Sequence, residues 1–323
     1  MVNATPLLFS LSESQPFALR VARHLALPLG TVGEHRYEDG EYKCHPLEPV
    51  TGRRVVVFAG LYPEPDLSVH DKLCRLLFFC SAIKDAGAQH LQVVSPYLCY
   101  TRKERRIDAQ DPVISRYLAT LMEASSIDGL IALDVHNQAA FDNAFRIPAL
   151  HLESAQLFAE HFIRGYQGEA LAVVSPDLGG IKRAERLRQI LEQRLGHAIE
   201  RACVEKYRSD ENLSGSLLVG DIEGRTVILL DDLISTGDTL LRAAETCHTG
   251  GARRIYAMAT HGLFTTGNEL LESPLFERIV VSDSIPSPRL EPLVRTGRVE
   301  VLDTSGAIAA VLAKQYAIGE TRE

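Results

Sequence analysis

The chain has 323 residues, 46% hydrophobic and 24% charged, with 34 Lys+Arg against 42 Asp+Glu for a net charge of −8. That is enough for roughly two domains whose cores need no disulfide or metal staple. An acidic chain with no tryptophan argues against a nucleic-acid binder, which needs a basic footprint or aromatic platforms.

Apolar, β-rich runs predict strands at 7–11, 54–60, 91–95, 130–134, 171–175, 227–230, 255–260, 279–282 and 299–302. Helical spacing falls between them. Leu73, Leu76, Leu77, Cys80 and Ile83 form one pattern, closing near Gly87. Ile114, Leu118, Leu121 and Met122 form another, opened by Asp111-Pro112. Ile181, Leu187 and Leu191 lie on a third, and Leu240, Leu241 and Ala244 on a fourth that ends at Gly250-Gly251. A last helix is expected over 308–316. This alternation predicts an α/β fold with mainly parallel sheets flanked by helices on both faces. The least regular stretches are 62–66 and 207–220.

No apolar run approaches the about 20 residues that span a membrane. The first residues lack the basic start and apolar run of a secretory leader. Cys44, Cys74, Cys80, Cys99, Cys203 and Cys247 contain no Cys-x-x-Cys, and no two histidines are three to five apart. Neither a disulfide framework nor a helical zinc motif is expected, which points to a reduced, cytoplasmic protein. One internal echo stands out: Val93-Val94-Ser95-Pro96 recurs as Val173-Val174-Ser175-Pro176, and Leu91, Leu98 and Arg106 recur as Leu171, Leu178 and Arg186. A duplicated α/β unit would produce it.

The most specific motif is 227–239, four apolar residues followed by Asp231-Asp232-Leu233-Ile234-Ser235-Thr236-Gly237-Asp238-Thr239. Ligands of open parallel sheets bind at the carboxyl ends of strands. A loop of small residues leaves N–H groups free for a phosphate, and the helix that follows adds its positive end. Asp231 and Asp232 suit sugar hydroxyls, directly or through a cation. The Asp238 carboxylate would repel phosphate unless it points outward or binds a cation. The plainer alternative is a polar strand end with a helix cap at Ser235 or Thr236.

A second loop, Ser175-Pro176-Asp177-Leu178-Gly179-Gly180, also joins a strand to a helix. Its glycines allow close approach to an anion, and Asp177 fits a Mg²⁺ paired with phosphates; an ordinary glycine turn is the alternative. Read without context, Asp39-Gly40 is a hairpin turn signal. The basic segment 102–106 is a solvated face, His136 a strand-end hydrogen bonder, and 205–220 an unremarkable loop with the composition of a lid. Motifs of P-loop kinases, dinucleotide enzymes, zincins and serine hydrolases are absent.

Taken in order from Tyr37 to His261, these segments resemble the ribose-phosphate pyrophosphokinase (PRPP synthetase) family, of the type I phosphoribosyltransferase fold. The resemblance implies two similar phosphoribosyltransferase-like domains. One is an N-terminal ATP-side domain of 1–152 plus a returning helix within 306–323. The other, 153–305, binds ribose 5-phosphate and PRPP. It implies Mg²⁺-dependent transfer of the ATP diphosphoryl group to ribose 5-phosphate, giving PRPP and AMP.

The resemblance also implies residue roles. Tyr37, Asp39 and Glu41 stand where the family reads F-x-D-G-E and holds adenine across a subunit contact, with Tyr37 preserving a stacking face. Arg102 and Lys103 match a phosphate-contacting segment in which Lys103 replaces Gln and Glu104 replaces Asp. His136, in Asp134-Val135-His136, contacts ATP and a metal. Asp177, Leu178, Gly179 and Gly180 form the pyrophosphate loop. Asp231, Asp232, Ser235, Thr236, Gly237, Asp238 and Thr239 bind ribose 5-phosphate, and Lys206 and Arg208 are catalytic. His136, Asp177 and Asp231 are the expected metal ligands. A homo-oligomer with a shared ATP site is expected, with no membrane or nucleic-acid partner. A PRPP-consuming phosphoribosyltransferase, which needs only the 231–239 loop, and a non-catalytic regulatory subunit are the alternatives.

Overall fold

The computed structural model describes residues 5–208, 214–265 and 269–319. The chain divides into two compact units, Met1–Leu152 with Thr304–Glu323, and Glu153–Asp303.

In the first unit the chain runs β1 (Leu7–Ser10), α1 (Gln15–Leu25), β2 (Val32–Arg36), β3 (Tyr42–Pro46), β4 (Arg54–Phe58), α2 (Val69–Asp85), β5 (His90–Ser95), α3 (Ile114–Ala124), β6 (Gly129–Leu133), α4 (Gln138–Ala144) and β7 (Ala149–Leu152). Strands β1, β4, β5, β6 and β7 form one parallel sheet in that order. Successive strand residues face opposite sides. Thus Val55 and Val57 pack with α2 and α3 residues such as Leu76, Phe79, Leu118 and Met122. Val56 and Phe58 pack on the other face with Val21 and Leu25 of α1. Helix α2 opens with a reciprocal capping box between Ser68 and Asp71. The irregular stretch 62–66 is pinned by the fully buried Lys72, whose Nζ lies 2.8 Å from Glu64 and 3.6 Å from the centre of the Tyr62 ring.

The second unit comprises α5 (Ala155–Gly165), β8 (Leu171–Ser175), α6 (Ile181–Leu195), β9 (Glu200–Arg208), β10 (Ser214–Val219), β11 (Thr226–Ile234), α7 (Asp238–Thr249), β12 (Arg254–Gly262), α8 (Glu269–Glu272), β13 (Arg278–Ser282), α9 (Glu291–Arg295) and β14 (Val299–Leu302). Its seven-stranded sheet has the order β10-β9-β8-β11-β12-β13-β14. All pairs are parallel except the antiparallel β9–β10. From β8 the chain first builds outward to β9 and β10, then crosses to lay β11 on β8's other side. The direction of strand order reverses between β8 and β11, the crevice where open α/β sheets take ligands. After β14 the chain returns to the first unit as α10 (Ser305–Tyr316), whose Ile308, Ala309 and Leu312 pack with Ala18, Val21 and Leu25 of α1.

Two sequence expectations change. The lid-like stretch 207–220 includes the edge strand β10, while Asp210, Glu211 and Asn212 lie outside the described residues. The strand expected at 227–230 does not stop at the acid pair. It runs to Ile234, because β12 continues beside it and pairs Asp231 with Ala259, Leu233 with His261 and Ile234 with Gly262. All six cysteines are free thiols. Among the described residues, no helix is long and apolar enough to cross a membrane.

Candidate active site

Strand β8 pairs with β11 only as far as Val174 opposite Leu229. Beyond it β8 turns away at Ser175-Pro176, so the β8-facing edge of β11 is left open at Asp231 and Asp232. Two strand-to-helix loops flank this opening, 176–180 after β8 and 235–237 after β11.

The first loop is held by its own side chains. The Ser175 hydroxyl donates to the Asp177 carbonyl at 2.6 Å, and the Gly180 N–H donates to Asp177 Oδ1 at 3.0 Å. Gly180 caps α6, and a β-carbon there would lie 2.7 Å from Ser175 Oγ. Leu178 and Gly179 are exposed. The same device closes β5, where the Ser95 hydroxyl donates to the Tyr97 carbonyl at 2.9 Å. The repeated Val-Val-Ser-Pro is therefore a repeated way of leaving a parallel strand. The continuations differ: α6 starts at once after Gly180, whereas the segment after β5 runs to α3 at Ile114.

The second loop caps α7 with Gly237 at φ +94°, a left-handed conformation that favours glycine. A β-carbon there would also meet Leu270 at 2.8 Å. The Thr236 hydroxyl donates to Asp238 Oδ2 at 2.9 Å, and Ser235 Oγ lies 3.3 Å from Thr265 Oγ1. The Thr265 N–H donates to the Ser235 carbonyl at 2.8 Å, which braces the loop from the end of β12. Thr236 and Asp238 are exposed.

Between the loops stand Asp231 and Asp232, with the Asp232 N–H donating to Asp231 Oδ1 at 2.8 Å. Burial, and then the neighbouring Asp232 carboxylate, push Asp231 up to about 7; the Arg183 guanidinium opposes them. Arg183 Nη1 lies 3.3 Å from Asp232 Oδ1 and 3.9 Å from Asp231 Oδ1. Arg183 belongs to the sequence motif of the glycine loop, 175–184, but its partnership with the acid pair was not read from it. Its signal was its place on the first turn of α6, directly after the glycine loop.

In the first unit, Arg102 and Lys103 are exposed on the segment after β5, and His136 follows the adjacent β6. Asp134 is buried with φ +31°, a sparsely populated backbone for a non-glycine residue. Its Oδ1 lies 3.6 Å from Nε2 of His151 on β7. His151, too, went unflagged in the sequence, since nothing about a histidine in a short apolar strand signals a carboxylate across the sheet. Tyr37, Asp39 and Glu41 occupy the tip of the β2–β3 hairpin. There the Tyr37 N–H donates to the Glu41 carbonyl at 2.8 Å, the Glu41 N–H donates to Asp39 Oδ1 at 3.0 Å, and Gly40 takes φ +91°. The Tyr37 ring is 44% exposed. Lys206 and Arg208 belong to the extended backbone of β9.

The second unit is thus a mainly parallel sheet with two strand-to-helix glycine loops around an acid pair at its switch point. Residues 6–125 match a family profile described as the N-terminal domain of ribose phosphate pyrophosphokinase, and 206–318 match one described as a phosphoribosyl synthetase-associated domain. The ribose-phosphate pyrophosphokinase of Fusobacterium nucleatum is 32% identical over 305 residues, covering 94% of this chain and 92% of that one. Ribose-phosphate pyrophosphokinase 1 of Streptococcus pneumoniae is 32% identical over 283 residues, covering 87% and 85%. The chain belongs to the ribose-phosphate pyrophosphokinase family. In fold it matches the crystal structure of phosphoribosylpyrophosphate synthetase from Mycobacterium smegmatis with a TM-score of 0.86, at 24% identity over 98% of this chain and 100% of that one.

Proposed function

We propose that the chain is a ribose-phosphate diphosphokinase that converts ATP and ribose 5-phosphate into PRPP and AMP. The observation that carries this reading is the pairing of two anion-ready loops around Asp231 and Asp232, at neighbouring parallel strands. One sugar phosphate fits that arrangement: hydroxyls toward the acid pair, the 5-phosphate toward 235–239, and the incoming diphosphate toward 177–180. The C1 hydroxyl oxygen bonds to the β-phosphorus, its proton leaves, and the bond between the β-phosphorus and the bridging oxygen of AMP breaks. No covalent enzyme intermediate is required, so the protein's work is positioning and charge neutralisation.

The donor set fits magnesium. This ion is usually bound through one or two carboxylates with substrate phosphates and water completing its shell. Asp177 and Asp231 would be the carboxylates and His136 an imidazole on the ATP side; among the described residues no three or more His, Cys, Asp or Glu are gathered into a metal site, so substrate phosphates and water would supply most of the shell. When bound, such an ion neutralises phosphate charge. Tyr37, Asp39 and Glu41 would take adenine, and Arg102 and Lys103 the ATP phosphates. Lys206 and Arg208 would stabilise charge as the bridging bond breaks.

The direct test is AMP release from ATP and ribose 5-phosphate, run against a panel of other pentose phosphates and nucleotides. Base-dependent consumption of PRPP with no AMP formed from ATP would overturn the proposal in favour of a phosphoribosyltransferase. Lys206→Ala should lose at least about 10³-fold in turnover with an unchanged melting temperature, the scale of an inserted cation in phosphoryl transfer. Near-parental turnover would remove β9 from the mechanism.

A further inference from the structure

The loop that would receive the 5-phosphate already carries an anion. Asp238 is the first residue of α7, where the positive end of the helix dipole favours negative charge. Its carboxylate is not turned away from the loop: Oδ2 accepts the Thr236 hydroxyl at 2.9 Å. A hydroxyl has one hydrogen to give, so while this bond stands Thr236 has none for a phosphate. Of the loop's other two hydroxyls, those of Ser235 and Thr239, the first lies 3.3 Å from Thr265 Oγ1. Asp238 is exposed, so the contact is not enforced by packing. Gly237, by contrast, packs closely on Leu270, where a β-carbon would lie 2.8 Å from the leucine side chain.

We propose that Asp238 is a built-in competitor of the substrate phosphate, a specificity-determining residue that sets how tightly the 235–239 loop holds a phosphorylated sugar. The proposal deepens the functional reading above and rests on it. To bind, a phosphate must take over the Thr236 hydroxyl and the helix N-terminus while Asp238 rotates outward, and it does so against a nearby like charge. Two charges of the same sign a few ångströms apart near a protein surface repel by enough to change affinity about ten-fold or more. The chain thereby favours high sugar-phosphate concentrations and releases the phosphorylated product readily.

The test is calorimetric titration of the whole protein with ribose 5-phosphate, comparing the parent with Asp238→Asn and Asp238→Ala. Asparagine keeps an acceptor for Thr236 and removes the charge; alanine removes both. Melting temperatures confirm that each variant is folded. The expected result is a dissociation constant lower by about ten-fold or more in both variants, with the gap from the parent narrowing as salt is raised. Equal or weaker binding by Asp238→Asn overturns the proposal, since it would make the carboxylate neutral or a partner of the ligand. So does gain in Asp238→Ala alone, because shape rather than charge would then be responsible. AMP release by the parent is followed separately. Its absence would sink the diphosphokinase reading while leaving the calorimetric comparison to decide the role of Asp238.

Discussion

Asp231 carries a cost in the folded chain. Held near 7 by burial and by Asp232, it keeps its proton in the folded chain at pH values where an unfolded aspartate has lost it. The folded state therefore binds more protons than the unfolded one between about pH 4 and 7, so stability falls as pH rises through that window. Asp231→Asn removes this slope. The variant should be more stable than the parent at pH 8, by roughly 1–3 kcal/mol, with little difference at pH 4. Thermal unfolding at the two pH values checks it; a parent and variant that melt alike at pH 8 would contradict it. Arg183 is the counterweight. Arg183→Ala leaves two carboxylates with less opposing charge, so the acid limb of the pH–activity profile should move to higher pH and activity at pH 7 should drop about ten-fold or more. A profile that keeps its shape would assign Arg183 a packing role only. Residue chemistry of this kind is half legible in sequence. The two aspartates announce themselves, but the guanidinium between the loops is visible only once α6 is laid beside β11.

At the scale of elements, the glycine loops show why particular residues stand where they do. Gly237 is needed twice, for its left-handed backbone and for the space that Leu270 fills. Gly237→Ala should lower stability by about 1–3 kcal/mol and weaken ribose 5-phosphate binding, read by thermal shift and titration; an unperturbed melting point would show that the loop can relax around a methyl group. Strands were read well where burial on both faces gave a run of consecutive apolar residues, as in Val55–Phe58 of β4 and Leu171–Val174 of β8. They were missed where one face is polar. In β9 the buried Ala202 and Val204 alternate with exposed or half-buried Glu200, Arg201, Cys203 and Glu205, and β10 is an edge strand with Leu217 and Val219 about half exposed. The β2–β3 hairpin buries Cys44 alone among its ten residues, so its turn was readable and its strands were not.

For the whole molecule, the reading proposed here requires more than one copy, because the Tyr37–Asp39–Glu41 tip is assigned to a neighbour's ATP. Two singly inactive variants, Tyr37→Ala and Lys206→Ala, should then regain up to about a quarter of parental activity when their subunits are exchanged, since random mixing leaves some sites with both parental contributions. Sedimentation run alongside should show that the active species is not a monomer. A dilute monomer with full activity would end the shared-site idea. The sequence by itself determined the α/β class, the buried parallel strands and both strand-to-helix glycine loops, because burial on two faces and close backbone approach each demand distinctive residues at fixed spacing. Only the tertiary structure decided what those motifs share. It carried β11 past the acid pair by pairing it with β12, and it reversed the strand order between β8 and β11. It also brought Arg183 to the acid pair of β11, and Leu270 and Thr265 to the loop that follows β11. Such contacts depend on which strands pair and which helices cover them, and no local pattern of residues encodes that.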